Sequence, residues 1–233
     1  MLDLVSTPKG RIVAAALRLA EAKPWREVTL LDIARGAGLT LTELRAQVGS
    51  KTDILADLTR IVDDELMTRM SLRNAADSST RDRLFDVVMT RFDLLQPHKP
   101  ALKSILADAA RLQAALPIGP ALASQAWMLA AAGIGAEGPI GAARVAGLAA
   151  AYGAALRLWL DDDEPGQART MAALDKRLRS GERLLGGVED ALGSLSRMVE
   201  DMRAWKRRRR QRTDGGHADA ATEPGADRPA NGF

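Results

Sequence analysis

Two histidines, one tyrosine and no cysteine limit the chemistry that this 233-residue chain can perform. His98 sits among Pro97, Lys99 and Pro100, and His217 lies in a Gly-, Ala- and Asp-rich end. Neither has a second ligand at a spacing that holds a metal. Without cysteine there is no disulfide, thiolate metal site or thiol nucleophile. Gly133-x-Gly135-x-x-Gly138 follows no strand pattern, so it is no dinucleotide fingerprint. The acidic run Asp161 to Glu164 could attract a divalent cation, but acids at a helix start are favoured by the helix dipole alone. These residues do not compose a catalytic set, so neither an enzyme nor a cofactor is expected. Two recognition sets remain. Thr40, Thr42, Arg45 and Gln47, flanked by Thr29 and Lys51, are residue types that bond phosphates and base edges. Trp127, Tyr152, Leu156 and Trp159 lie on apolar stretches and suit either an apolar ligand or a packed core.

Charge is distributed unevenly. Residues 1–202 hold 25 basic and 26 acidic side chains, whereas 203–212 hold seven basic and none acidic. A nucleic-acid face on the body of the chain must therefore come from local arrangement and not from bulk charge. Between Lys9 and Arg60 there are nine positive and six negative residues, which gives modest steering toward phosphate. The first residues lack the charged start and apolar core of a signal peptide, and apolar runs are interrupted by charge or glycine. A cytoplasmic protein without a spanning helix is the expectation.

The elements that must position these residues are helices. Apolar residues recur at three and four spacing, and Ala, Leu, Arg and acids dominate. Thr7-Pro8 reads as an N-cap with proline in the first turn of a helix that presents Ile12, Ala16, Leu19 and Ala20 on one face. Pro24-Trp25 breaks it. Thr29 caps a short second helix, Gly38 serves a turn in the left-handed region, and Thr40 caps a third short helix anchored by Leu44. A longer helix restarts at Gly49-Ser50. Beyond a polar stretch at Asn74 to Thr80, further helices are expected with Leu84 to Leu95, Leu102 to Leu116, residues 119–132, Val145 to Trp159 and Met171 to Leu178 facing inward. Val188, Leu192, Leu195, Val199 and Met202 trace a narrow seam ahead of Trp205 and the basic run.

Residues Val28 to Lys51 resemble the helix-turn-helix of TetR-type transcriptional regulators. Thr29, Ile33, Ala34, Ala37, Gly38, Leu39, Thr40, Leu44 and Lys51 match that family's pattern at its spacing. Where the family carries Tyr, His and Phe, this chain has Arg45, Gln47 and Val48. The resemblance implies an all-α fold with a helix-turn-helix head and a helical ligand-binding and dimerisation body. It also implies a homodimer on double-stranded DNA. Thr29, Thr40, Thr42, Arg45, Gln47 and Lys51 would be its DNA contacts.

Leu148 to Leu178 is similar to the carboxy-terminal region of the lipid-binding accessory proteins of ubiquinone biosynthesis, on Tyr152, Trp159, Leu160, Asp161, Asp162, Gly166, Thr170, Leu174, Asp175, Arg177 and Leu178. That resemblance implies an isoprenoid or acyl lipid in the body, and a head kept as fold without DNA. Either way Trp127, Tyr152, Leu156 and Trp159 would flank an apolar cavity for a small ligand or lipid. The expected organisation is a head at 1–50, a body at 51–187, an amphipathic helix with a basic end at 188–212, suited to peripheral membrane contact, and a disordered tail at 213–233.

Overall fold

The computed structural model describes residues 2–72, 78–112 and 117–182, and among these there is no strand. The helices run in the order α1 (Pro8–Ala22), α2 (Leu30–Gly36), α3 (Leu41–Gln47), α4 (Lys51–Ser71), α5 (Thr80–Leu95), α6 (Lys99–Leu112), α7 (Ile118–Ala131) and α8 (Gly138–Leu160). A further helix, α9, spans 168–182. Met1–Leu184 form one compact unit. The seam and basic run expected over 188–212, and the tail over 213–233, lie outside the described residues.

Each helix of the head starts on a residue that closes its free amides. The Thr7 hydroxyl accepts from Gly10 N–H ahead of Pro8, Thr29 and Thr40 form reciprocal capping boxes with Asp32 and Glu43, and Ser50 accepts from Asp53 N–H. Gly38 ends the α2–α3 turn with φ +69, a conformation that costs a side chain energy and glycine none. Arg18 donates to the carbonyl of Gly36 at 2.8 Å, placing a cation on the C-terminal end of α2.

The apolar faces close into a continuous core. Ile12, Ala16 and Ala20 of α1, Ile33 and Ala34 of α2, Leu44 of α3, and Ile54, Leu58, Val62 and Leu66 of α4 are buried together with Leu84, Val87, Val88 and Phe92 of α5. α4 is unbroken for 21 residues, about 31 Å at the helical rise, so one rod belongs to both head and body. Two hydrogen bonds from Arg26 fasten the head to α6: its backbone N–H donates at 2.8 Å and its guanidinium at 2.9 Å to the buried Asp108 carboxylate. At the far end, Lys99 donates to the Asp162 carbonyl and to the Asp163 carboxylate, tying α6 to the turn after α8. Asp162 in turn accepts from the backbone and the hydroxyl of Thr170, near the start of α9.

One expectation changes here. α8 is long and apolar enough to cross a membrane by length and composition, because its alanines and leucines outweigh Arg144 and Arg157. It packs on α7, α5 and α6 through Leu148, Ala155 and Trp159, while Ala142, Ala143, Ala146, Gly147 and Ala150 stay exposed.

Candidate nucleic-acid interface and body site

α3 is seven residues long, and a single buried side chain, Leu44, anchors it. Leu41, Thr42, Glu43, Arg45, Ala46 and Gln47 are exposed, as are both capping threonines, Thr29 and Thr40. The outward side of this helix is therefore exposed, and an α-helix is an element that a major groove admits. Thr40 is occupied locally: its hydroxyl accepts from Glu43 N–H and donates to Glu43 Oε2, and its N–H donates to the same oxygen at 2.7 Å. The backbone N–H of Thr40, followed by its hydroxyl, holds the Glu43 carboxyl below its ordinary pKa. Thr29 is a cap in the same way, and Asp32 opposite it is held far below the usual carboxylate range by Lys23 at 2.7 Å and by the Thr29 amide.

Lys51 is placed differently from the expectation. Its ammonium donates to the carbonyls of Trp25 at 2.5 Å and Val28 at 2.8 Å, and lies 4.1 Å from the centre of the Trp25 ring. Partial burial pulls its pKa down, against the attraction of Asp108. The placement does not support a phosphate contact by Lys51, because its donors are directed into the loop between α1 and α2. Trp25, buried at 8% exposure, is the floor of this arrangement.

Four of the nine cations between Lys9 and Arg60 are engaged with acids. Lys9 and Arg60 share Asp57, Lys23 holds Asp32, and Arg26 holds Asp108. Among the described head residues the exposed Arg11, Arg18, Arg35 and Arg45 carry no ion pair; Arg18 donates to the Gly36 carbonyl, which leaves Arg11, Arg35 and Arg45 without a side-chain partner. Of the DNA contacts expected from sequence, Thr42 and Arg45 share the outward face of α3, Gln47 is exposed on the flank next to Leu44, Thr29 and Thr40 are exposed but serve as caps, and Lys51 is turned inward.

In the body, Tyr152, Leu156 and Trp159 do come together, around a residue not singled out from sequence. Phe92 of α5 stacks on Tyr152 at 5.4 Å and on Trp159 at 5.3 Å between ring centres. Trp159 is fully buried and its indole N–H has no acceptor. Trp127 is elsewhere: it is 59% exposed on α7. The expectation that Trp127, Tyr152 and Trp159 flank one cavity is therefore corrected. Trp127 projects from α7 to solvent, about 140° around the helix from Leu122, which is also exposed, while Trp159 faces α5.

Beside the stack lies a polar cluster that sequence reasoning missed. The Arg91 guanidinium pairs with Asp63 and donates to the Tyr152 hydroxyl, and the Ser124 hydroxyl donates to Asp63 at 2.7 Å. Arg91, Asp63 and Ser124 are buried, as is Gln125, whose side-chain oxygen has no donor. One signal was available in the sequence. Leu84, Val87, Val88, Phe92 and Leu95 define the inward face of α5, and Arg91 occupies a slot of that same face.

No family model and no curated protein matches the chain. Solved structures do. The TetR transcriptional regulator of Nitrosomonas europaea ATCC 19718 aligns with a TM-score of 0.58 at 18% identity, covering 76% of this chain and 99% of that one. A TetR transcriptional regulator from Rhodococcus sp. RHA1 gives 0.54 at 16% identity, over 75% and 94% of the two chains. A TetR-family regulator from Streptomyces coelicolor gives 0.53 at 19% identity, over 84% and 89%. The chain has the all-α fold of the TetR-type regulators, head and body included.

Proposed function

We propose that the chain is a homodimeric transcriptional regulator that binds double-stranded DNA through α3 and responds to a small apolar ligand in the body. The observation that carries this reading is the open outward face of α3, with Thr42, Arg45 and Gln47 exposed and Leu44 alone turned in. Gln47 can take adenine and Arg45 guanine or a phosphate. The dimer would use the exposed side of α7 and α8. Neither helix contains an acid, and Trp127 of α7 and the small residues Ala142, Ala143, Ala146, Gly147 and Ala150 of α8 are exposed. Two heads one helical turn apart then match a two-fold operator, and a ligand at the Phe92 stack would change their separation. A gel-shift titration of purified protein against the DNA flanking its own gene tests this. A salt-sensitive complex is expected, and none at any salt or ligand condition would remove the reading.

A second reading has its own support: a lipid-binding accessory protein with a head kept only as fold, peripheral to the membrane. Lys51 faces inward, and Lys9, Lys23, Arg26 and Arg60 are paired with acids, which leaves few cations for phosphate. Native mass spectrometry of the purified chain distinguishes the two. A co-purified isoprenoid or acyl lipid, with liposome binding that depends on residues 188–212, favours the accessory role.

A further inference from the structure

The outward centre of α3 is formed by two small methyl-bearing side chains, one of which also carries a hydroxyl. At about 100° per residue, the direction opposite the buried Leu44 falls between Thr42 and Ala46. Both are exposed. Thr42 carries a γ-methyl beside its hydroxyl, and Ala46 carries a β-methyl. Arg45 flanks this centre on one side. Glu43 flanks it on the other, but its carboxylate is drawn back onto the Thr40 amide and hydroxyl, 2.7 and 2.8 Å away. A charge that would repel phosphate is thereby turned toward the cap, while the unpaired Arg45 guanidinium is the one head cation beside the methyls.

In the major groove one base edge offers an apolar group, the C5 methyl of thymine, and the side chains that suit it are small and methyl-bearing. We propose that Thr42 and Ala46 read thymine methyls at the centre of each half-site, with Arg45 fixing the adjacent base or phosphate. The proposal rests on the DNA-binding reading above and names what its central contact recognises. It extends the residue set drawn from sequence by Ala46, and it assigns Thr42 a methyl contact in place of a hydroxyl one.

The test begins with the full chain and a duplex library of random sequence. The recovered duplex is compared with the same duplex carrying deoxyuracil for thymine, which deletes the methyls and leaves every hydrogen-bonding edge intact. Affinity should fall about fourfold for each methyl contacted, the value of one buried carbon. Thr42→Ser, which keeps the hydroxyl, should bind the thymine duplex about fourfold more weakly, and at the thymine it contacts it should lose nothing further on deoxyuracil substitution. A complex indifferent to the methyls overturns the thymine assignment alone. Recovery of no duplex at all removes the DNA reading and this proposal with it.

Discussion

Lys51 illustrates how little a residue type says without its neighbours. A lysine at the head of α4 matches a phosphate-binding pattern, yet its ammonium closes the carbonyls of Trp25 and Val28 and sits on the Trp25 ring. Replacing it with alanine strips two partly buried carbonyls of a charged donor, so Lys51→Ala should lower stability by about 1–3 kcal/mol in urea unfolding. The opposite pattern, unchanged unfolding with weakened DNA binding, would restore the phosphate role. Arg45 should behave in reverse: Arg45→Ala leaves stability within about 0.5 kcal/mol, since the side chain is exposed and unpaired. The α3 face was legible in the sequence because it depends on local signals: Thr40 as cap, Gly38 as turn, and Leu44 as inward anchor. The inward turn of Lys51 was not legible. Its acceptors lie 23 and 26 residues back along the chain, and only the folded loop brings them near.

At the level of elements, Asp63 joins three helices to a fourth. From α4 it takes Arg91 of α5 and Ser124 of α7, and Arg91 reaches Tyr152 of α8. Removing one member of a buried ion pair leaves an uncompensated charge, so Asp63→Ala should cost about 3–5 kcal/mol in equilibrium unfolding. The double change Asp63→Leu with Arg91→Leu should recover much of that loss; a double variant as unstable as the single would show that the charges themselves hold the helices. The turn between α8 and α9 should respond to pH in a defined direction. The Thr170 hydroxyl and amide hold the Asp162 carboxyl below its usual pKa, so its contribution is present above the unfolded carboxylate value near 4 and fades as pH falls below it. Helical circular dichroism should therefore decline at acid pH less steeply in Asp162→Asn, which has already lost that contribution, than in the parent. The helices themselves could be read from periodicity and caps, and the expected α5, α7 and α8 lie where the pattern put them. Which face of α7 pointed outward could not. An uncharged helix with tryptophan reads as core, and only the placement of α4 and α5 against Ser124, Gln125, Met128 and Leu129 turns Trp127 to solvent.

At the scale of the described molecule, a near-neutral body and an acid-free α7–α8 pair with exposed small and apolar residues suit a second surface that covers them. A charge placed there should separate the protomers. Ala146→Glu is exposed and outside the head, so sedimentation should report a dimer for the parent and a monomer for the variant, with thermal stability of each protomer otherwise close. A parent that sediments as a monomer contradicts the two-headed arrangement. Few free head cations also set the form of DNA binding. With Arg11, Arg35 and Arg45 available in each protomer, the plot of log affinity against log salt should have a slope no steeper than about −5 for a dimer lacking residues 203–233.

The claim beneath all of this is that the exposed side of α3 enters duplex DNA, and the gel-shift titration with Arg45→Ala and Gln47→Ala beside the parent measures it most directly. The account expects a sequence-selective complex with the parent, weakened about tenfold or more by each substitution at unchanged stability. A parent that binds no duplex, or a complex that neither substitution alters, contradicts it.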